Sequence, residues 1–216
     1  MPRTNHFISV IVLAAGESKR MGRMKQLLPF RNSTIIEQVV SNVVDADISE
    51  IIVVLGHQDR RIAHRLAGKP LKTVLNRDYR QGMSSSIKCG LDHISETAAA
   101  VMIVLGDQPL IGRDIIDKLV AEFARNKRGI VAPVHQGRRG HPVIFAARYN
   151  SELARLEGDT GAKKVIEAHP GDMLEVEVDS ESIFADIDNQ NDYQLQQRSD
   201  PARSRLRHVK KKDEDH

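Results

Sequence analysis

Residues Leu13 to Pro29 read Leu-Ala-Ala-Gly-Glu-Ser-Lys-Arg-Met-Gly-Arg-Met-Lys-Gln-Leu-Leu-Pro, small residues that give way to a run of cations. Small side chains let backbone N–H groups approach a ligand closely, and several such groups in one turn form a nest for an anion. Arg20 and Lys25 then add the charge a polyphosphate needs. The spacing separates this loop from two common phosphate binders. Gly16 and Gly22 do not fit G-x-G-x-x-G, and no Gly-Lys-Ser/Thr follows as a Walker A loop requires. Without further context the same stretch also reads as a surface loop that happens to be basic.

Carboxylates suited to a metal lie far from this loop in sequence. Leu105-Gly106-Asp107-Gln108-Pro109 follows directly on the apolar run Val101–Leu105. An aspartate there stands at the carboxyl edge of a sheet, where it can hold Mg²⁺ while phosphate oxygens and water complete the octahedron. It is equally suited to capping the turn that Pro109 fixes. Asp186-Ile187-Asp188 supplies a second carboxylate, because alternation on an extended segment puts both aspartates on one face and Ile187 on the other. Asp107 and Asp188 converging on one Mg²⁺ would suit displacement at an α-phosphorus. A pair of turn or edge-strand aspartates is the plainer alternative.

Three more segments join glycine to polar groups. Gln81-Gly82-Met83-Ser84-Ser85-Ser86 opens a helix, and its serine hydroxyls and free N–H groups suit a ribose, a base edge or a phosphate. Simple N-capping needs only one of those serines. Gly140-His141-Pro142 and Gly158-Asp159-Thr160-Gly161-Ala162-Lys163-Lys164 are loops, the second of which reads either as a phosphate site at a helix start or as a solvated basic face. No His-x-x-x-His or His/Cys cluster has zinc spacing, and no G-x-S-x-G nucleophile elbow is present.

The elements that must position these groups alternate along the chain. Apolar runs at Ile8–Leu13, Ile51–Leu55, Thr73–Leu75, Val101–Leu105, Ile130–Pro133, Val143–Phe145 and Leu174–Val178 predict strands. Between the first two, Thr34 and Glu37 have capping-box spacing, and Ile36, Val39, Val40 and Val43 follow on one helical face. Further helices are expected over Asp59–Leu66, Ser85–Ile94, Asp114–Arg125, Tyr149–Leu156 and Ala162–Ala168. Strand followed by helix predicts an α/β fold: a single-domain, three-layer αβα, Rossmann-like arrangement with a mostly parallel sheet and its ligand sites at the carboxyl ends of strands.

Composition narrows the function classes. With 216 residues, 40% hydrophobic content and no Pro/Gly/Ser-rich linker, one core is expected. The folded unit should span 5–197, with 198–216 a charged, disordered tail. That tail carries six Lys/Arg against four Asp/Glu from Ser199 on, so it supplies most of the net charge of +3. The remainder, nearly neutral and poor in aromatics, argues against nucleic acid. One cysteine, Cys89, excludes a disulfide framework, and the absence of signal-peptide and membrane-span patterns makes the cytoplasm the expected location.

Taken together, these segments resemble the molybdenum cofactor cytidylyltransferase family, nucleotidyltransferases related to the molybdenum cofactor guanylyltransferase. The resemblance runs from about Ile8 to Tyr193. It rests on Leu13-Ala14-Ala15-Gly16-x-Ser18-x-Arg20-Met21-Gly22-x-x-Lys25-Gln26-Leu27-Leu28-Pro29, Gly82-x-Ser84-Ser85-Ser86, Gly106-Asp107-Gln108-Pro109, Gly140-His141-Pro142 and Asp186-Ile187-Asp188.

The resemblance implies a fold of the nucleotide-diphospho-sugar transferase type and transfer of CMP from CTP to the terminal phosphate of molybdopterin. It further implies that Leu13, Ala14, Ala15 and Gly16 meet base and ribose, that Arg20 and Lys25 hold the triphosphate, and that Gly82, Ser84, Ser85 and Ser86 frame the nucleotide. Asp107 and Asp188 would bind Mg²⁺, with Arg20, Lys25 and Asp107 as the catalytic set. The Gly140–Pro142 and Gly158–Lys164 loops would face the acceptor, and a recipient molybdoenzyme or its chaperone would be the protein partner. Ala14-Ala15-Gly16, where guanylyltransferases carry a second glycine, favours CTP over GTP. Relatives usually read Asp-x-Asp-Thr-Pro-Glu-Asp near the end, whereas this chain reads Asp186-Ile187-Asp188-Asn189-Gln190-Asn191-Asp192. A sugar or polyol phosphate acceptor, or a non-catalytic carrier of the cofactor, are the competing readings.

Overall fold

The computed structural model describes residues 7–198; of the expected tail, 198–216, Arg198 still belongs to a helix and the rest lies outside the described residues, as do positions 5 and 6 of the expected folded unit. Strands β1 (Ile8–Ala14), β4 (Glu50–Leu55), β5 (Lys72–Leu75), β6 (Ala100–Leu105), β7 (Ile130–His135), β9 (Val143–Ala146) and β10 (Met173–Glu177) order as β10-β7-β9-β6-β1-β4-β5, with β8 (Arg138–Arg139) beside β7. All pairings are parallel except those of β8 and β9, so the sheet is mixed and mostly parallel. A small hairpin, β2 (Pro29–Phe30) with β3 (Ser33–Thr34), stands apart from it.

The central strands are buried on both faces, as their unbroken Val and Ile runs require: Val10, Ile11 and Val12 of β1, Ile52 to Val54 of β4 and Val101 and Met102 of β6 are closed to solvent. Helices cover the sheet: α1 (Ile35–Val44), α2 (Asp59–Leu66) and α4 (Arg113–Arg125) form one group, while α3 (Met83–Leu91) packs on β1, β4 and β5 and meets α5 (Asn150–Leu153). Two shorter pieces complete the fold, α6 (Lys163–Ala168) and α7 (Gln190–Arg198). Helix α1 begins as its sequence dictates. Thr34 Oγ1 accepts from Glu37 N, Glu37 Oε2 accepts from Thr34 N, and Ile36, Val39, Val40 and Val43 form the buried stripe.

Several expectations shift. The helix expected over Tyr149–Leu156 is only a 3₁₀ turn (Ala147–Tyr149) followed by one turn of α5. Helix α3 starts two residues before Ser85, because the loop at Gly158 supplies partners for its first amides. Helix α7 has too few apolar residues for its pattern to show in sequence, yet it is anchored: Tyr193 Oη donates to Pro29 O (2.6 Å) and its ring joins Leu28, Phe30, Ile35 and Ile187 in a second apolar cluster. Among the described residues no helix is long and apolar enough to cross a membrane.

Candidate active site

At the carboxyl edge of β1 and β6 a cleft of about 430 Å³ opens. Its floor depends on close backbone contact. Gly106 N donates to Leu13 O (3.0 Å), and a Cβ on Gly106 would stand 2.8 Å from that oxygen, so glycine is needed for the two strand ends to meet. From there the loop after β1 leaves and folds back on itself. Ser18, held in the left-handed region (φ 55°), accepts from Lys25 N through Oγ (3.1 Å) and donates to Gln26 Oε1 (3.1 Å). That closure returns Lys25 over the end of β6.

Lys25 Nζ lies between two carboxylates, 2.5 Å from Asp107 Oδ2 and 2.9 Å from Asp188 Oδ1, and Arg20 Nη1 stands 3.2 Å from Asp188 Oδ2. Burial would lower the Lys25 pKa, but Asp107 and Asp188 raise it above its ordinary value, so the ammonium stays charged. The hydrogen bond from Lys25 in turn lowers Asp188, against the effect of its own burial. Asp186 goes the other way. Burial and then the nearby Asp107 charge push it up to about 6, although Gln108 Nε2 donates to it. Three acidic groups crowd one small volume, and a single lysine joins two of them.

The segment carrying Asp186 and Asp188 is not a strand, yet its facing is the expected one. Both aspartates line the cleft, Ile187 is buried on the other side, and Ile187 N is tied to Asp107 O (3.2 Å). The stretch that follows Asp188 is held by its own side chains. Asn189 Oδ1 accepts from Asn191 N and Asp192 N, while Asp192 Oδ2 accepts from Asp188 N and Asn189 N, a reciprocal cap at the start of α7. Arg23 adds a bond from Nη2 to Gln190 Oε1 (2.8 Å).

Leu13, Ala15, Gly16, Arg20, Lys25, Gly82, Ser86, Asp107 and Asp188 thus line one cleft, though 175 residues of chain separate the first from the last. Ala14, Ser84 and Ser85 do not line it. Ala14 is packed beneath Gly106, Ser84 is buried, and Ser85 Oγ turns to Gly82 O (2.8 Å). The serines do not cap α3 either: Asp159 Oδ1 accepts from Met83 N (3.0 Å) and Gly158 O from Ser84 N (3.2 Å). Asp107 serves no capping role among the described hydrogen bonds, since its carboxylate takes Lys25. Tyr79 also lines the cleft, and nothing in the sequence marked it; Gln26, Met83 and Asp159, which stand in the singled-out segments but were given no individual role, line it as well. Gly82 is what lets the Asp159 loop come near: at φ +102°, a Cβ on it would lie 2.6 Å from Gly158 O, so the two loops approach only because Gly82 lacks a side chain.

Among the described residues no three His, Cys, Asp or Glu side chains form a ready metal cage. A cation held here would rest on Asp107 and Asp188 and take its other ligands from substrate and water, the usual arrangement for Mg²⁺. The donor set fits. Both groups are hard oxygen ligands, an ammonium already lies between them, and Asp107 Oδ1 is buried without a hydrogen-bond partner.

A second cavity of about 600 Å³ adjoins the first, and Met83 and Asp159 line both. Its walls include Ile87, Ile103, Val143, Phe145 and Ile166, with exposed Arg138, Arg139 and Lys163 around them. His141 also lines it. Burial pushes that imidazole below its ordinary pKa, with Asp107 partly opposing. A small-residue loop with cations and converging carboxylates, opening beside an apolar cavity, can hold a nucleoside triphosphate against a second substrate.

This is the layout of a nucleotidyltransferase. The chain belongs to the MobA-like NTP transferase domain family, whose model matches residues 10–173. It is 28% identical over 187 residues to the molybdenum cofactor cytidylyltransferase of Escherichia coli K12, covering 86% of this chain and 93% of that protein. It is also 28% identical over 188 residues to the nicotine blue oxidoreductase of Paenarthrobacter nicotinovorans, covering 84% and 92%. Among solved structures, Rv0371c of Mycobacterium tuberculosis H37Rv superposes with a TM-score of 0.82 at 28% identity over 89% of this chain and 98% of that one. Its complex with manganese superposes with a TM-score of 0.79 at 26% identity, covering 90% and 100%.

Proposed function

We propose that this enzyme transfers CMP from CTP to the terminal phosphate of a molybdopterin-type cofactor and releases pyrophosphate. The observation that carries the reading is the ammonium of Lys25 set between Asp107 and Asp188 in the cleft lined by the loop after β1. An acceptor phosphate oxygen forms a bond to the α-phosphorus of CTP as the bond to the β-phosphate oxygen breaks. No side-chain nucleophile is required.

Leu13, Ala15 and Gly16 present the end of β1 to the nucleoside, and Gly82, Ser86 and Tyr79 close the other side. Arg20 and Lys25 carry the positive charge that meets the triphosphate, so the chain's own contribution is positioning and electrostatics. Asp107 and Asp188 would hold Mg²⁺, which would supply charge neutralisation at the phosphates. The named relative from Escherichia coli and the manganese complex of Rv0371c support the cofactor and metal parts of this reading. Apolar walls in the adjoining cavity favour a flat heterocyclic acceptor over a polyol, whose hydroxyls would find few partners there. The loop after β1 carries no G-x-G-x-x-G fingerprint, which favours the transferase reading over a nicotinamide-dependent one.

The test is pyrophosphate release with Mg²⁺ and molybdopterin-form cofactor, comparing CTP, GTP, ATP and UTP. Release with CTP well above the others supports the proposal. Release only with a sugar or polyol phosphate as acceptor reassigns the second cavity. Cofactor binding without release at any nucleotide makes the protein a carrier.

A further inference from the structure

Asn76 follows β5 directly at the carboxyl edge of the sheet, and both ends of its buried side-chain amide are committed. Its backbone N donates to Leu55 O at the end of β4 (2.8 Å). Asp78 N donates to Asn76 Oδ1 (2.9 Å), and Asn76 Nδ2 donates to two hydroxyls of α3, Ser85 Oγ (2.9 Å) and Ser86 Oγ (3.0 Å). The reverse orientation of this amide would set its NH₂ against the Asp78 N–H, donor facing donor. The polarity of the group is therefore fixed.

A hydroxyl has one proton, so a serine that accepts from Asn76 must direct that proton elsewhere. Ser85 Oγ directs it within the chain, to Gly82 O (2.8 Å) and Asp78 O (3.0 Å). Ser86 differs. Its Oγ accepts from Asn76 and donates to no acceptor among the described hydrogen bonds, and Ser86, unlike its neighbour, lines the nucleotide cleft. A buried hydroxyl in this position has its O–H left for whatever fills the cleft, and leaving that bond unmade costs free energy.

We propose that Asn76 is a positioning residue for the nucleotide: it holds the Ser86 hydroxyl as a hydrogen-bond donor, so that the wall formed by Tyr79, Gly82 and Ser86 selects a nucleoside with an accepting oxygen or nitrogen there. The assignment rests on the nucleotide half of the function proposed above. It concerns the nucleoside alone, since Ser86 does not line the adjoining cavity and the triphosphate is assigned to Arg20 and Lys25.

The test is CTP binding by titration calorimetry, with Mg²⁺ and without acceptor, to wild type, Asn76→Asp, Ser86→Ala and the double variant. Aspartate keeps the shape and the bond from Asp78 N but cannot donate, so the Ser86 proton turns to the carboxylate and only lone pairs face the cleft. Each single variant should weaken CTP binding about tenfold, and the double variant should bind CTP within about twofold of Ser86→Ala, because the amide acts through that hydroxyl. A further loss on adding Asn76→Asp to Ser86→Ala would make the effect one of charge or packing and overturn the proposal. CTP binding unchanged in Ser86→Ala would overturn it as well, and that comparison stands even if the aspartate variant does not fold. If wild type and Asn76→Asp bind CTP equally, the role of Asn76 fails while the nucleotide reading survives. If wild type binds no nucleoside triphosphate, both fail together.

Discussion

Two aspartate sites lie at opposite edges of the same sheet. At the amino edge, Asp172 accepts from Gly129 N (3.1 Å), Arg148 Nη2 (2.6 Å) and Tyr149 Oη (2.5 Å). Burial works against its charge, but these donors outweigh it and hold the carboxyl at about 2. Asp107, Asp186 and Asp188 at the carboxyl edge are less well provided. One oxygen of Asp107 has no partner, Asp186 is pushed up to about 6, and one lysine serves two carboxylates. The first site is finished within the chain and can only stabilise it. The second is short of positive charge and of donors, which is what a site awaiting a cation and a polyphosphate requires.

The sharpest way to break this contrast is to exchange the effects of the two sites. Asp107→Ala should lower kcat/KM by about 10³-fold with the fold intact, whereas Asp172→Asn should leave turnover within about twofold. Steady-state pyrophosphate release checks both. Lys25→Ala comes next, with an expected loss of about 10²-fold and weaker CTP binding by titration calorimetry. Unchanged kinetics would return the loop after β1 to an ordinary basic surface segment.

Stability should respond with opposite sign. Asp172→Asn should cost about 1 kcal/mol, or about 2–4 °C in thermal midpoint, after allowance for the exposure of its partners. Because the folded-state pKa of Asp172 is depressed to about 2, its contribution is fully present above the ordinary carboxylate value and fades as pH falls from about 4 toward 2. The difference between wild type and variant should vanish over that window in acid unfolding curves. Asp186→Asn in metal-free protein at pH 7 should raise the midpoint by about 2 °C, since it removes one of three crowded charges and keeps an oxygen for Gln108. Lowered midpoints in both variants would show that the two sites do not differ in kind. The smallest effect is expected at Asn189→Ala, which removes the cap at the start of α7 and should cost about 1 kcal/mol or less, with a modest loss of activity through Asp188.

What could be read from sequence follows from distance along the chain. Asp107 and the loop after β1 were legible because each directly follows a buried apolar strand, and strand order alone brings those ends together. The facing of Asp186 and Asp188 was legible from alternation, even though no strand forms there. Tyr79 was not, since no local pattern marks it, and the place of Asp159 beside the start of α3 depends on the close approach of Gly82 to Gly158 O, which local pattern does not encode. Ser86 lines the cleft as its segment suggested, but Ser84 and Ser85 do not, and Asp159 from another loop takes the capping role their position also allowed. Helix α7 escaped because its order comes from Tyr193 and from the Asn189–Asp192 exchange, and no apolar stripe marks it.

The central claim, that the carboxyl-edge aspartates are a metal and nucleotide site while the amino-edge one is structural, is tested most directly by Mn²⁺ binding. Electron paramagnetic resonance would follow Mn²⁺ added to wild type, Asp107→Ala and Asp172→Asn proteins, with and without CTP. Binding strengthened by CTP in the wild type and in Asp172→Asn, but at least about tenfold weaker in Asp107→Ala, is the predicted result. Equal Mn²⁺ binding in wild type and Asp107→Ala would contradict the account.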